Sequence, residues 1–188
     1  MHPEPRIKRL SVDEAAAAAR EVGIAENMAA LNIFRVLLHH PPVAKAVHDL
    51  LVALLFRSKL DDRLRELVIM RIGWSTASDY EWTQHWRVAR EQFGVSDEDL
   101  LAVRDWRGSD RFGPAEQAVL AATDEALETG TISPASWAEC EAHIGGREEL
   151  IELVAVIGNW RMISQLLRSL EIPLENGVAS WPPDSRRP

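Results

Sequence analysis

Thiols are nearly missing from this sequence: Cys140 is the single cysteine among 188 residues. One cysteine rules out an intrachain disulfide framework and any C-x-x-C redox motif, and it fits a reducing cytoplasm. Positive charge is also in deficit. With 21 Lys and Arg against 29 Asp and Glu, the formal net charge is −8, which disfavours nonspecific attraction to nucleic acid or an anionic membrane. No apolar run reaches the roughly 18–20 residues of a membrane span. The start, MHPEPRIKRLSVDEAAAAA, has no apolar core of a secretory signal. The expectation is a soluble, cytoplasmic protein with neither nucleic acid nor membrane as a partner. No glycine-rich phosphate loop is present, and Gly145–Gly146 reads as a turn before a helix. Period-two alternation is absent as well, so no strand is expected.

What the chain does have is apolar spacing of three and four residues throughout, and the fold class expected is all-α. Apolar residues make up 46% and charged residues 27%, ordinary for one globular domain of this length. Ser11 with Glu14 predicts a capping box ahead of an alanine-rich helix ending near Gly23. Asn27 starts a helix through Ile33, Phe34 and Leu37 that stops at Pro41–Pro42, where His39 and His40 would meet its C-terminal dipole. A third helix runs from Pro42 through Leu55. Asp61, Ser78 and Ser96 open the next three, Pro114 sits at the first position of another, Ser133–Pro134 starts a short one, and a long helix runs from Arg147 toward Leu170. The last stretch, residues 174–188, reads as an irregular, mobile tail.

The most informative segment is LDDRLRELVIMRIGWSTASDYEWTQHWRVA, residues 60–89. Ser78 and Glu81 form the S-x-x-E pattern of a capping box, which gives both a structural duty. His85 follows Glu81 by four residues, so the two side chains share a helical face. Glu66 lies on the preceding apolar helix, where a carboxylate needs a partner: His85, or one of Arg63, Arg65 and Arg71. Imidazole titrates near neutrality and serves as a general acid or base. Candidate catalytic residues are therefore His85, Glu66 and Glu81. Tyr80, the single tyrosine, would donate a hydrogen bond to a ligand oxygen or be an ordinary buried phenol. Trp74 and Trp82, two of seven tryptophans, would line an apolar pocket or simply pack. No HExxH or clustered Cys/His pattern calls for a metal, and no cofactor is expected.

The same segment resembles the carboxymuconolactone decarboxylase superfamily, which includes the AhpD-like alkylhydroperoxidases. In the peroxidase branch a glutamate is followed at twelve, fifteen and nineteen residues by Cys, Cys and His. Counted from Glu66 those positions hold Ser78, Glu81 and His85, so the glutamate and histidine match and both thiols are replaced. Dithiol exchange needs two thiols, so the resemblance implies the branch without them. It implies an AhpD-like helical bundle and acid–base chemistry by His85 and Glu66 on an organic acid or lactone. It also implies a homo-oligomer, a dimer, trimer or hexamer. A non-catalytic oligomeric binding or scaffold protein is the alternative.

An internal echo suggests pseudo-duplication. LRELVIMRIGW (64–74) and LIELVAVIGNW (150–160) share Leu, Glu, Leu, Val and Trp at an offset of 86. The first half, about 27–104, would then carry the site. Residues 105–114 would link it to a supporting second half, about 115–173, within a single domain of residues 1–188.

Overall fold

The computed structural model describes residues 5–188. Among them are ten α-helices and no strand, an all-α bundle. The helices are α1 Val12–Val22, α2 Glu26–Ala29, α3 Asn32–Leu37, α4 Pro41–Phe56 and α5 Asp62–Ser75. They continue with α6 Asp79–Glu91, α7 Asp97–Ala102, α8 Pro114–Thr129, α9 Pro134–His143 and α10 Arg147–Ser169. A 3₁₀ turn, Val103–Gly108, overlaps the start of the expected linker.

Local chemistry explains most of the boundaries. Ser11 and Glu14 cap one another, and Gly23 ends α1 in the left-handed conformation at φ 71°. Asp61 Oδ1 accepts from Leu64 N at 3.0 Å to start α5. The helix expected from Asn27 is broken in two at Leu31, which is extended. Asn32 turns its side chain to the far end of the chain, donating to the carbonyls of Pro173 and Leu174 at 3.1 Å each. His40 is not the end of a helix but the N-cap of α4, accepting from Val43 N at 3.4 Å.

Helix α5 lies at the centre. It is buried on almost every face from Leu64 to Trp74 and packs against α6, α8 and α10. The apolar core falls into two clusters. One surrounds α5 and includes Trp82 and Trp160. The other gathers α1, α3 and α4 with Tyr80 and Ile163. Helix α10 is long and apolar enough, by length and composition, to cross a membrane, although the sequence pattern did not single it out; half of that stretch is buried against α5, α4 and α8.

The tail is irregular but tied down, which corrects the expectation of mobility. Glu175 accepts from Asn32 N at 3.0 Å and from the Tyr80 hydroxyl at 2.5 Å, and it also receives the Gln84 amide. Asp79 accepts from Ser180 Oγ at 2.5 Å and Trp181 N at 3.0 Å. Trp82 Nε1 donates to Pro182 O at 2.7 Å, and Arg104 grips Asp184 with both Nη atoms. Sequence periodicity does not report such long-range anchors.

Candidate active site

A tight turn between α5 and α6 brings the candidate residues together. Ala77 adopts φ 52°, and Ser78 N donates to Gly73 O at 2.9 Å. A side chain at Gly73 would place its Cβ 3.1 Å from Trp82 N, so glycine there lets the two helices approach closely. Helix α6 returns antiparallel along α5. At 1.5 Å per residue, Glu66 and His85 lie comparable distances from the turn and meet.

His85 Nδ1 lies 2.8 Å from Glu66 Oε2. Glu66 is fully buried. Its other oxygen, Oε1, has no hydrogen bond and stands 3.5 Å from Arg65 Nε. Arg65 is also fully buried, bonds Asp62 Oδ1 at 2.6 Å and lies 4.5 Å over the Phe93 ring. Arg63 and Arg71 are not partners of Glu66. Arg63 serves Asp99 and Glu116, and Arg71 serves Asp124.

The capping box at Ser78 does not form: Ser78 is the N-cap of α6 but makes no side-chain cap, and its hydroxyl is buried without a partner. Glu81 is thereby released from the duty that the S-x-x-E pattern assigned to it. Its Oε2 stands 3.7 Å from His85 Nε2. Burial pushes the Glu81 carboxyl up to about 7, with the Glu66 charge adding to the rise and His85 and Trp160 opposing it. For His85, burial disfavours the cation. The charge and hydrogen bond of Glu66, helped by Glu81, outweigh burial and raise its pKa. Two adjacent titratable groups thus both have their pKa values shifted upward, that of Glu81 to about 7.

Sequence reasoning missed Trp160. From α10 its Nε1 donates to His85 Nε2 at 3.0 Å, with the rings edge-to-face at 5.6 Å. The echo placed Trp160 opposite Trp74 without giving it a role, because only packing between α10 and α6 creates the contact.

Glu81, His85 and Trp160 form part of the wall of a cavity of about 470 Å3. Its apolar surface comes from Met28, Leu31, Ile33, Phe34, Leu51, Leu55, Val88 and Ile163, with Phe56, Gln84 and Arg87 also lining it. Glu66 is not a lining residue. It sits behind His85, bonded to it directly rather than facing it across the hollow. Tyr80 lines the cavity, but its hydroxyl is engaged by Glu175, and burial with that carboxylate holds its pKa well above the usual value. Trp74 and Trp82, expected at the pocket, are not among its lining residues. Trp82 neighbours Glu81 in sequence and so projects about 100° round the helix from it. It joins Trp74, Trp86 and Trp181 in a cage of rings 5.3–6.1 Å apart, with Arg104 4.7 Å over both Trp74 and Trp82. These indoles hold the tail and α6 in place.

Cys140 is fully buried and faces Ala118 O at 3.7 Å. Burial, with the Glu139 charge, pushes its thiol up to about 11, the state of an inert cysteine. Among the described residues, no three His, Cys, Asp or Glu side chains converge as metal ligands would.

Residues 41–125 match the model of the carboxymuconolactone decarboxylase family. No curated protein matches the chain in sequence. Among solved structures, a peroxidase-related protein with an AhpD core from Ralstonia eutropha JMP134 is 14% identical over 100% of both chains, with a TM-score of 0.76. A protein of unknown function from Agrobacterium tumefaciens, associated by name with AhpD-type antioxidant defence, is 22% identical over 74% of this chain and 96% of its own, with a TM-score of 0.66. A cysteine-to-alanine variant of the debrominase Bmp8, in complex with 2,3,4-tribromopyrrole, is 16% identical over 88% of this chain and 86% of its own, with a TM-score of 0.68. At these identities the structural likeness establishes the fold.

Proposed function

We propose, because residues 41–125 match the carboxymuconolactone decarboxylase family model, the fold is AhpD-like and the chain has no thiol pair, that it is a small-molecule enzyme moving protons on an organic acid, lactone or related carbonyl compound. The observation that carries this reading is the Glu81–His85 pair, 3.7 Å apart on the wall of an apolar cavity, with the Glu81 carboxyl near 7. Glu81 gives and takes the proton at the ligand. His85 stands 3.7 Å behind Glu81, and Glu66 orients the imidazole. The chemistry is lyase-like or lactone-processing: decarboxylation, ring opening or isomerisation each needs one proton placed on, or removed from, a carbonyl compound. The small aromatic ligand of Bmp8 supports an apolar organic guest in this fold.

The test is turnover on a panel of lactones and β-keto acids by the parent, Glu81→Gln and His85→Ala. General acid–base catalysis contributes about 10²–10⁴-fold, and losses of that order are expected in both variants. Unchanged turnover in both would remove the mechanism.

A non-catalytic binding protein is the second reading, favoured by one observation: both His85 nitrogens already have partners, Glu66 and Trp160. On that reading the parent itself turns over no member of the panel. Self-association accompanies either reading. Ile151, Val154 and Met162 are exposed along one side of α10 and form an apolar strip suited to a second copy. A monomer in sedimentation equilibrium would contradict that.

A further inference from the structure

We propose that the indole of Trp160 decides which member of the Glu81–His85 pair holds their exchangeable proton, and that it keeps the proton on Glu81 in the resting site. This rests on the reading of that pair as the acid–base apparatus and names Trp160, from the second half of the chain, as its positioning residue.

An indole N–H donates and never accepts. Trp160 Nε1 stands 3.0 Å from His85 Nε2, so that nitrogen presents its lone pair. His85 Nδ1 stands 2.8 Å from a Glu66 oxygen. The carboxylate accepts, so the ring carries its one hydrogen on Nδ1. An imidazolium in this position would set two N–H groups against each other at 3.0 Å. Glu81 Oε2 is 3.7 Å from the same Nε2. Without the indole, an Nε2–H would face that carboxylate and the proton would favour the ring. With it, the ring stays neutral and Glu81 presents a carboxylic acid to the cavity.

Trp160 is held there. It is fully buried, and its edge-to-face contact with His85, at 79° between ring planes, fixes its direction. The other groups around His85 are Glu66 and Arg65 from α5, and Glu81 and Tyr80 from α6. His48, from α4, lines the same cavity and is paired with Asp49; Glu175, from the tail, is occupied by Tyr80 and Gln84. The two glutamates at the site draw a proton onto the ring and Arg65 repels it. Trp160 opposes the glutamates while carrying no charge.

The indole also lies within reach of Glu81, where its hydrogen bond favours the ionised carboxyl. When Glu81 protonates a bound base, its O–H bond breaks, the new bond forms on the ligand, and a carboxylate is left beside the indole N–H. After the transfer the indole N–H has two bare acceptors beside it, His85 Nε2 and the Glu81 carboxylate, and it serves one of them.

The test is a titration of the full-length protein with ¹⁵N-labelled histidine, comparing the parent with Trp160→Phe, which keeps an aromatic ring and loses the N–H. In the parent at neutral pH, His85 is expected to show a bare Nε2 and a proton on Nδ1. In Trp160→Phe its midpoint should rise by about one unit, a tenfold gain in proton affinity. An imidazolium in the parent at pH 7, or identical His85 midpoints in both proteins, would overturn the proposal. The parent spectrum alone decides between the two protonation states, even if the variant fails to fold. Unchanged turnover in Glu81→Gln would sink the enzymatic reading while leaving this assignment of the proton intact.

Discussion

Helices α5 and α10 carry the same Leu, Glu, Leu, Val and Trp at matching positions; the leucines are buried in one core in both, but the glutamate and the tryptophan have taken different tasks in the two. Glu66 on α5 is sealed from solvent and bonded to His85. Its counterpart Glu152 on α10 receives Ser58 Oγ at 2.6 Å and the N–H groups of Lys59 and Leu60 at 2.8 and 2.7 Å. There it ties down the loop that leads into α5, and those bonds hold its carboxyl below the usual range despite partial burial. The tryptophans part in the opposite sense. Trp74 on α5 belongs to the cage that holds the tail, whereas Trp160 on α10 enters the site. Ser78 and Ser164, at the same offset, also stay alike: both are buried hydroxyls without partners. The comparison teaches that one helical pattern supplies positions, and that the neighbours each position meets decide between chemistry and packing.

The sharpest way to break this comparison is to remove both glutamates in turn. Glu66→Ala leaves the buried Arg65 and the His85 N–H uncompensated, and breaking a buried pair of this kind costs about 3–5 kcal/mol. It should also lower the His85 midpoint. Urea unfolding and an NMR titration measure the two effects. Glu152→Ala should cost less, about 1.5–3 kcal/mol for hydrogen bonds to a charged acceptor, and leave His85 where it was. Equal effects on His85 would erase the distinction.

The next effect depends on pH. Burial raises the folded-state pKa of Glu81 to about 7 from an ordinary 4.5. Its contribution to stability is therefore fully present below about 4.5 and lost as pH rises through 7. Glu81→Gln keeps the shape without the ionisation, so it should match the parent near pH 4 and exceed it above pH 7. A difference of this size corresponds to about 3 kcal/mol, read as a gap in unfolding midpoints that opens with pH. A constant gap would mean that Glu81 ionises freely in the folded protein.

The smallest effect concerns the two serines. A buried hydroxyl without a hydrogen bond is costly, so Ser78→Ala and Ser164→Ala should each be neutral or stabilising, within about 1 kcal/mol. Losses well beyond that would show that these hydroxyls have partners.

Much of this was legible in the chain. The spacing from Glu66 to His85 implied their meeting, because two helices joined by a short turn must return along one another, and Ser11, Asp61, Ser96 and Pro114 marked their helix starts. The role of Glu81 was obscured by a local pattern: S-x-x-E predicts a capping box, and close packing at Gly73 turned Ser78 away from it. Trp74 and Trp82 looked like pocket residues because they neighbour the motif in sequence, yet adjacent positions on a helix face different ways. Trp160 and the anchored tail depend on contacts between residues 75 to 143 positions apart, which no local period encodes.

The most direct test is the titration of the Glu81 side-chain carboxyl, followed by ¹³C NMR with Glu81→Gln to assign the signal. A midpoint close to 7 is the result predicted for a buried acid that holds its proton beside a neutral His85. A midpoint near 4.5 would make Glu81 an ordinary carboxylate and leave the cavity without a proton donor.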